Sequence, residues 1–308
     1  MTRKFLLAAA AALVAGSTFA QGVEVYGRLN MTVERQKAAG VSSTQMVSNS
    51  SRIGFRGNED LGGGLKAGFV LEHGFAADTG AAAATFWGRQ SELNLSGGFG
   101  TVRLGNFTSE AYYATADYVS MHNHDTGTSA DAFYAYLGRD TDKIAWRSPS
   151  LGGATVDLGM SLKEGRADHT YDLALNYATG PLSLGAGYQK DGNANQFAVR
   201  GLYEMGAFTL GGYVQRDKNA YAAGNRTTLR LSGMYALGAN ELHLNWGRAG
   251  SYSGVAGSSS ANQYTLGFNH NLSKRSKVYA YYTRIDDSAA AVYGGDFSSY
   301  AVGLRHNF

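Results

Sequence analysis

The chain has no cysteine, only two prolines, and no apolar run long enough to cross a bilayer as a helix. Without cysteine there are no disulfides and no thiolate metal site, so stability must come from backbone pairing and packing. A spanning helix needs about 20 consecutive apolar residues; the longest candidate, Phe5–Ala15, falls short of that. A helical membrane protein is therefore excluded. Charge of one sign is also lacking. The formal net charge is +3, and it falls near +1 if Arg3 and Lys4 are removed with a leader, which gives no reason to expect a nucleic-acid partner.

What is abundant is glycine (42) and tyrosine (20), a composition of strands and tight turns. Mean hydropathy is slightly negative, at -0.24. A wall that alternates apolar-out with polar-in has this balance; a chain burying a large conventional core does not.

The amino end has the layout of a secretory signal. Arg3 and Lys4 precede the apolar run, and Thr18-Phe19-Ala20 supplies a small-x-small site before Gln21. The expected organisation is a signal peptide over 1–20 and one domain over 21–308. The carboxyl end is a strand that stops on an aromatic ring. Tyr300, Val302, Leu304, His306 and Phe308 share one face; Ala301, Gly303, Arg305 and Asn307 share the other. Termini of soluble domains tend to fray, whereas the last strand of a membrane barrel must close the sheet against lipid.

Between these ends, period-2 segments recur from residue 23 onward, separated by Gly/Asn/Ser turns or longer polar connections. Val25, Leu29, Met31 and Val33 face one way; Tyr26, Arg28, Asn30 and Glu34 face the other. The count is sixteen strands, with short and long connections alternating, as an antiparallel outer-membrane barrel requires. One connection, about Thr108 to Arg139, is far longer than the rest and holds six aromatic residues. Loops of that length are uncommon and usually functional. Its aromatics predict packing, either as a self-folded cap or against the barrel's inner wall.

Several motifs resemble the Gram-negative general diffusion porins: Val25-Tyr26-Gly27-Arg28, Ser51-Arg52-Ile53-Gly54-Phe55-Arg56-Gly57, the stretch Glu59–Ala67, Leu71-Glu72 with Gly74-Phe75, Leu95–Gly100, Ser148–Gly153, Asn271–Arg275 and the terminal Phe308. The resemblance covers the whole mature chain and is densest before residue 160. It implies an all-β, sixteen-stranded transmembrane barrel in the outer membrane, usually a homotrimer of separate pores. The long third loop would fold into the pore and set acidic groups opposite basic groups on the wall. It also implies contact with outer-membrane lipid and lipopolysaccharide, and recognition of Phe308 by the barrel-assembly machinery. Matching residue by residue places the basic ladder at Arg28, Arg52, Arg89 and Arg139, with Glu72 as the wall carboxylate. Parity alone supports Arg28, Arg52 and Glu72. Arg89 shares phase with Leu93 and Leu95; only the resemblance, or a bulge, turns it inward.

The third loop departs from the family pattern. In place of an acidic Pro-Glu-Phe-Gly-Gly turn it reads Ala116-Asp117-Tyr118-Val119-Ser120-Met121-His122-Asn123-His124-Asp125. Its acids are Glu110, Asp117, Asp125 and Asp131, with Asp117 expected to face the arginines. His122 and His124 could make the pore pH-sensitive if either ring reaches water. A wall rich in arginine with few opposing acids predicts a water-filled channel for ions and small hydrophilic solutes that favours anions. A substrate-specific pore for a sugar or organic anion would use the same aromatics as a binding surface. An outer-membrane hydrolase would need a nucleophile beside an activated His, and no such motif is present. The His-x-His-Asp triplet is too short to specify zinc, and nothing points to a cofactor.

Overall fold

The computed structural model describes residues 22–117, 132–138, 140–287 and 295–308. Sixteen antiparallel strands close into a barrel. They are β1 (Glu24–Ala38), β2 in two segments (Val41–Ser48 and Arg52–Gly62), β3 (Leu65–Ala76), β4 (Gln90–Gly97), β5 (Gly100–Asn106), β6 (Lys143–Arg147), β7 (Ala154–Ser161) and β8 (Thr170–Thr179). The second half comprises β9 (Leu182–Asp191), β10 (Ala194–Met205), β11 (Phe208–Lys218), β12 (Asn225–Leu237), β13 (Asn240–Ala249), β14 (Ala261–Asn271), β15 (Ser276–Asp287) and β16 (Phe297–Asn307). A two-residue strand, Ala81–Ala82, pairs only with the end of β3 and lies outside the ring. A six-residue helix, α1 (Glu110–Thr115), follows β5.

The second strand starts earlier than its sequence pattern suggests and is broken. Both of its segments pair with β1. At the break Ser50 takes a left-handed backbone (φ 55°), and the Asn30 N–H donates to the Ser51 hydroxyl instead of a strand carbonyl. A serine side chain thus fills one rung of the ladder.

Closure runs from Arg28 opposite Asn307 to Ala38 opposite Phe297. The last residue extends it: the Gly27 N–H donates to the Phe308 carbonyl at 3.0 Å and the Phe308 N–H to the Gly27 carbonyl at 3.1 Å. Gly27 has no side chain because the Phe308 ring lies over it; a Cβ there would meet the ring Cζ at 2.4 Å.

Burial is inverted relative to a soluble protein. Outward positions are aliphatic and exposed, as at Leu244 (64%) and Val302 (65%), whereas Asn30, Glu34, Gln189, Gln215 and Arg230 are buried on the inner face. With no water in the hydrocarbon layer, a closed sheet satisfies every backbone group across strands, and the apolar side chains left outside are those that lipid solvates. The inner polar groups bond one another: the Glu34 carboxylate accepts from Thr32, Gln36, Tyr281 and Ser299. Connections at the end where the chain enters β1 run two to six residues; those at the other end are mostly longer, Ala39–Gly40 and Gly192–Asn193 being two-residue exceptions. That assigns the former to the periplasmic side and the latter to the extracellular side.

Candidate functional site: the charged inner wall and the third loop

Strand pairing gathers a band of cations on the inner wall. Arg28 lies directly across from Arg52, and its Nε donates to Asn307 Oδ1 at 3.0 Å. Arg305 stands opposite Asn30 on one side and Lys277 on the other. Arg89 completes the band. It precedes β4, so the parity of that strand does not govern it. Its stem runs beside Gly74, where a Cβ would meet Arg89 Cδ at 3.1 Å. Its Nε donates to Glu72 Oε1 at 2.6 Å, and the Arg52 Nε is 3.7 Å from the same oxygen. The guanidiniums of Arg28, Arg52, Arg89 and Arg305 sit close enough to act on one another's charge. Glu72 is the wall acid among them. Glu241 lies near Lys277 and Arg305 and accepts from Asn269 and Asn271.

The third loop is tied at its root by a second network. Asp172, on β8, accepts from the Ser109 hydroxyl at 3.1 Å and from the backbone N–H groups of Glu110 and Ala111 at 2.8 and 2.9 Å. It thereby caps the first turn of α1, whose orphan donors need acceptors. The Lys143 ammonium pairs with the same carboxylate at 2.6 Å. Glu110 is only 1% exposed. It is held by Arg103 and by Arg147 Nη2 at 3.1 Å, while Arg147 Nε also reaches Asp157 at 2.5 Å. Burial pushes the Glu110 carboxyl above the usual carboxylate range against the pull of these two arginines.

The helix lies on inward-facing positions of β8, β9 and β10. Gly185 and Gly187 on β9 make this possible. A Cβ on Gly185 would stop 2.0 Å from the Ala114 carbonyl oxygen, and one on Gly187 would stop 2.7 Å from Ala111 Cα. From this helix, the Tyr113 phenol lies near both Arg52 and Arg103.

The returning half of the loop is held by a row of glutamines. Ala135 N–H donates to Gln215 Oε1 at 2.7 Å, the Gln215 amide donates back to the Ala135 carbonyl at 3.2 Å, and Leu137 N–H donates to Gln189 Oε1 at 3.3 Å. Arg226, fully buried with Asp217 at 2.8 Å, donates to the Phe133 carbonyl at 3.0 Å. Tyr134 packs edge-on against Tyr213 of the wall. Tyr136 donates its hydroxyl to Asp140, whose carboxyl burial pushes above its ordinary value. The loop aromatics thus pack against wall and loop partners together.

Of the residues singled out from the sequence, Arg28, Arg52, Arg89 and Glu72 come together. Glu110 does meet arginines, but Arg103 and Arg147 of the loop root rather than the ladder. Asp117 follows the C-cap residue of α1, Ala116, and its charge raises the Tyr113 phenol. Arg139, His122, His124, Asp125 and Asp131 lie outside the described residues. His73, in phase with Leu71, stacks on Phe86, and His270 and His306 bond Asn240 and Ser276. Sequence reading passed over Arg305 and Lys277, although strand parity places both inward. It also passed over the glutamine row, whose partners are backbone groups of a distant loop.

A closed antiparallel barrel with lipid-facing aliphatics and a lumen of paired charges is an outer-membrane channel. Guanidinium donors along such a lumen can exchange hydration shells with passing anions. The chain belongs to the Gram-negative porins: residues 7–290 match that family's model. It is 32% identical to outer membrane porin protein 32 of Delftia acidovorans over 99% of this chain and 100% of the relative. The structure superposes on an anion-selective porin from Comamonas acidovorans with a TM-score of 0.81 at 26% identity, over 93% of this chain and 99% of that one. It also shares the fold of OmpT of Vibrio cholerae in its trimer form, with a TM-score of 0.73 at 16% identity, over 93% and 99%. The protein is thus a diffusion channel of the outer membrane and not an enzyme.

Proposed function

We propose that this channel passes small anions in preference to cations, and that the third loop narrows it beside the basic band. The observation that carries this is the imbalance on the wall: among the described residues, Arg28, Arg52, Arg89, Arg305 and Lys277 cluster around the two acids Glu72 and Glu241. Charge on a narrow, partly desolvated wall is weakly screened and sets the sign of the preferred ion. The bonds from Asp172, Gln189, Gln215 and Arg226 to the loop support its placement across the lumen. Arg139 extends the ladder, Asp117 and Asp125 are the opposing loop acids, and His122 and His124 add positive charge as the pH falls toward their ordinary value. The working assembly is a homotrimer with the signal peptide cleaved after Ala20. Outer-membrane lipid and lipopolysaccharide surround it, and the barrel-assembly machinery reads Phe308. The anion-selective porin of Comamonas acidovorans and the trimeric OmpT form support these readings.

Reversal potential across a planar bilayer under a salt gradient is the test. A potential of the sign set by the anion supports the reading, and a strong cation preference overturns it. Liposome swelling that saturates with one sugar or organic anion would instead mark a substrate-specific pore.

A further inference from the structure

The returning half of the third loop is gripped from two sides. Ala135 gives both its backbone groups to Gln215 of β11. The groups beside it point the other way, as they do in an extended chain, and one side chain takes both. The Tyr221 hydroxyl donates to the Tyr134 carbonyl at 2.7 Å and accepts from the Tyr136 N–H at 3.1 Å. The segment 134–136 is thus bonded like the middle strand of a sheet, with side chains standing in for its neighbours. A hydroxyl can do this because it donates and accepts at one atom.

The two grips differ in footing. Gln215 belongs to a strand paired along its whole length on both sides. Tyr221 belongs to the extracellular connection 219–224, between β11 and β12, and is 48% exposed. That connection is closed on itself: the Asn219 N–H donates to the Gly224 carbonyl and the Gly224 N–H to Asn219 Oδ1, both at 2.8 Å. It is also joined to the connection 250–260, between β13 and β14. The Gly254 N–H donates to the Ala223 carbonyl at 3.1 Å, the Ser253 N–H to the Asn225 carbonyl at 3.1 Å, and the Tyr221 N–H to the Tyr252 hydroxyl at 3.3 Å. Backbone meets backbone so closely there that a Cβ on Gly254 would stop 2.6 Å from the Ala223 carbonyl oxygen. The Arg226 guanidinium lies 5.3 Å from the Tyr221 ring and 4.9 Å from the Tyr252 ring.

We propose that Tyr221 is a positioning residue for the pore: a clasp through which the two joined outer connections hold the third loop in place, so that displacing them from the extracellular side loosens the loop. This rests on the third loop being the constriction and adds a control point outside it. Asp172, Gln189, Gln215 and Arg226 hold the loop from paired strands, whereas Tyr221 holds it from a connection, and connections are the more mobile parts of a fold. Moving 219–224 outward opens two bonds on 134–136 at once while every strand stays paired.

Amide exchange in mild detergent and single-channel recording, both on the intact protein, test this. Tyr221→Phe keeps the ring beside Arg226 and removes the hydroxyl. Exchange of the peptide spanning 134–136 should quicken roughly tenfold, as the loss of two hydrogen bonds implies, and open-channel current noise should rise. Gly254→Ala acts at the junction of the outer connections and not on the third loop. It should raise exchange and noise in the same direction and add nothing in the Tyr221→Phe background. Ser253→Ala removes the acceptor of the Asn225 N–H, loosens the same junction, and replaces Gly254→Ala should that variant not fold. Conduction by each variant shows that its barrel has closed. Unchanged exchange in Tyr221→Phe overturns the clasp. A silent junction variant, or one whose effect adds to that of Tyr221→Phe, overturns control from the outer connections. Faster exchange with an unchanged current keeps the clasp and overturns instead the third loop as the constriction, so the two readings fail separately.

Discussion

Gly185 lies beneath Ala114 so closely that a Cβ would stop 2.0 Å from its carbonyl oxygen. The helix at the start of the third loop therefore rests on β9 backbone, and the glycine is required by the approach and not by a turn. Gly185→Val should leave the strand intact, since a β-branched residue suits it, but push α1 off the wall. Overpacking of this kind costs about 1–3 kcal/mol. The expected result is a lower melting temperature in detergent together with altered single-channel conductance and solute size limit. A variant with wild-type conductance would mean that the helix does not shape the pore.

The basic band makes a graded prediction. Arg52→Ser/Arg89→Ser should shift reversal potential toward cations, and adding Arg305→Ser and Lys277→Ser should shift it further. Glu72→Gln removes the carboxylate shared by Arg52 and Arg89 and should strengthen anion preference. The shifts should shrink as salt is raised toward 1 M, where the screening length falls to about 3 Å. If Arg305 and Lys277 add nothing, the selective region is confined to β1, β2 and the β3–β4 connection.

Alternation made the strands legible in the sequence, and with them Arg28 and Arg52. Arg305 and Lys277 were equally legible by parity, but no motif drew attention to them. Arg89 defies parity because β4 begins only at Gln90, and a residue outside the strand has no strand phase. Glu110 looked like a pore-facing acid because the linear order hides Arg103 and Arg147; strand pairing brings both beside it. Gln189 and Gln215 read as ordinary inward polar residues. Their task depends on which backbone crosses them, and that is a tertiary fact.

The buried pair Asp217–Arg226 anchors the returning half of the loop through the Phe133 carbonyl. Tyr252 also donates to Asp217 at 2.6 Å. Asp217→Asn would leave the guanidinium buried beside a neutral amide, and breaking such a pair costs about 3–5 kcal/mol. Open-channel current noise should increase as the 132–138 segment loosens, and the melting temperature should fall. Arg226→Met/Asp217→Leu should recover part of the stability, since both buried charges are gone, but not the quiet current, since the Phe133 carbonyl has lost its donor. Recovery of both would show that the pair serves stability alone.

The last prediction concerns pH and Asp140, at the end of the third loop. Burial raises its carboxyl above the ordinary value near 3.8, while the Tyr136 hydroxyl and the Lys143 charge pull the other way. A carboxyl whose folded value is raised binds its proton more tightly in the folded state. Its stabilising contribution is therefore complete below the unfolded value and is lost as pH rises through the folded one. The Asp140→Asn variant carries a neutral amide that cannot ionise and serves as the reference: its melting temperature should match the wild type near pH 4 and exceed it at pH 7.5. Every other titratable group is present in both proteins and cancels in the difference. Melting temperatures in detergent at half-unit steps from pH 4 to 7.5 give the curve. A difference that is flat, or that favours the wild type at neutral pH, would show that the Tyr136 and Lys143 contacts outweigh the burial of the charge.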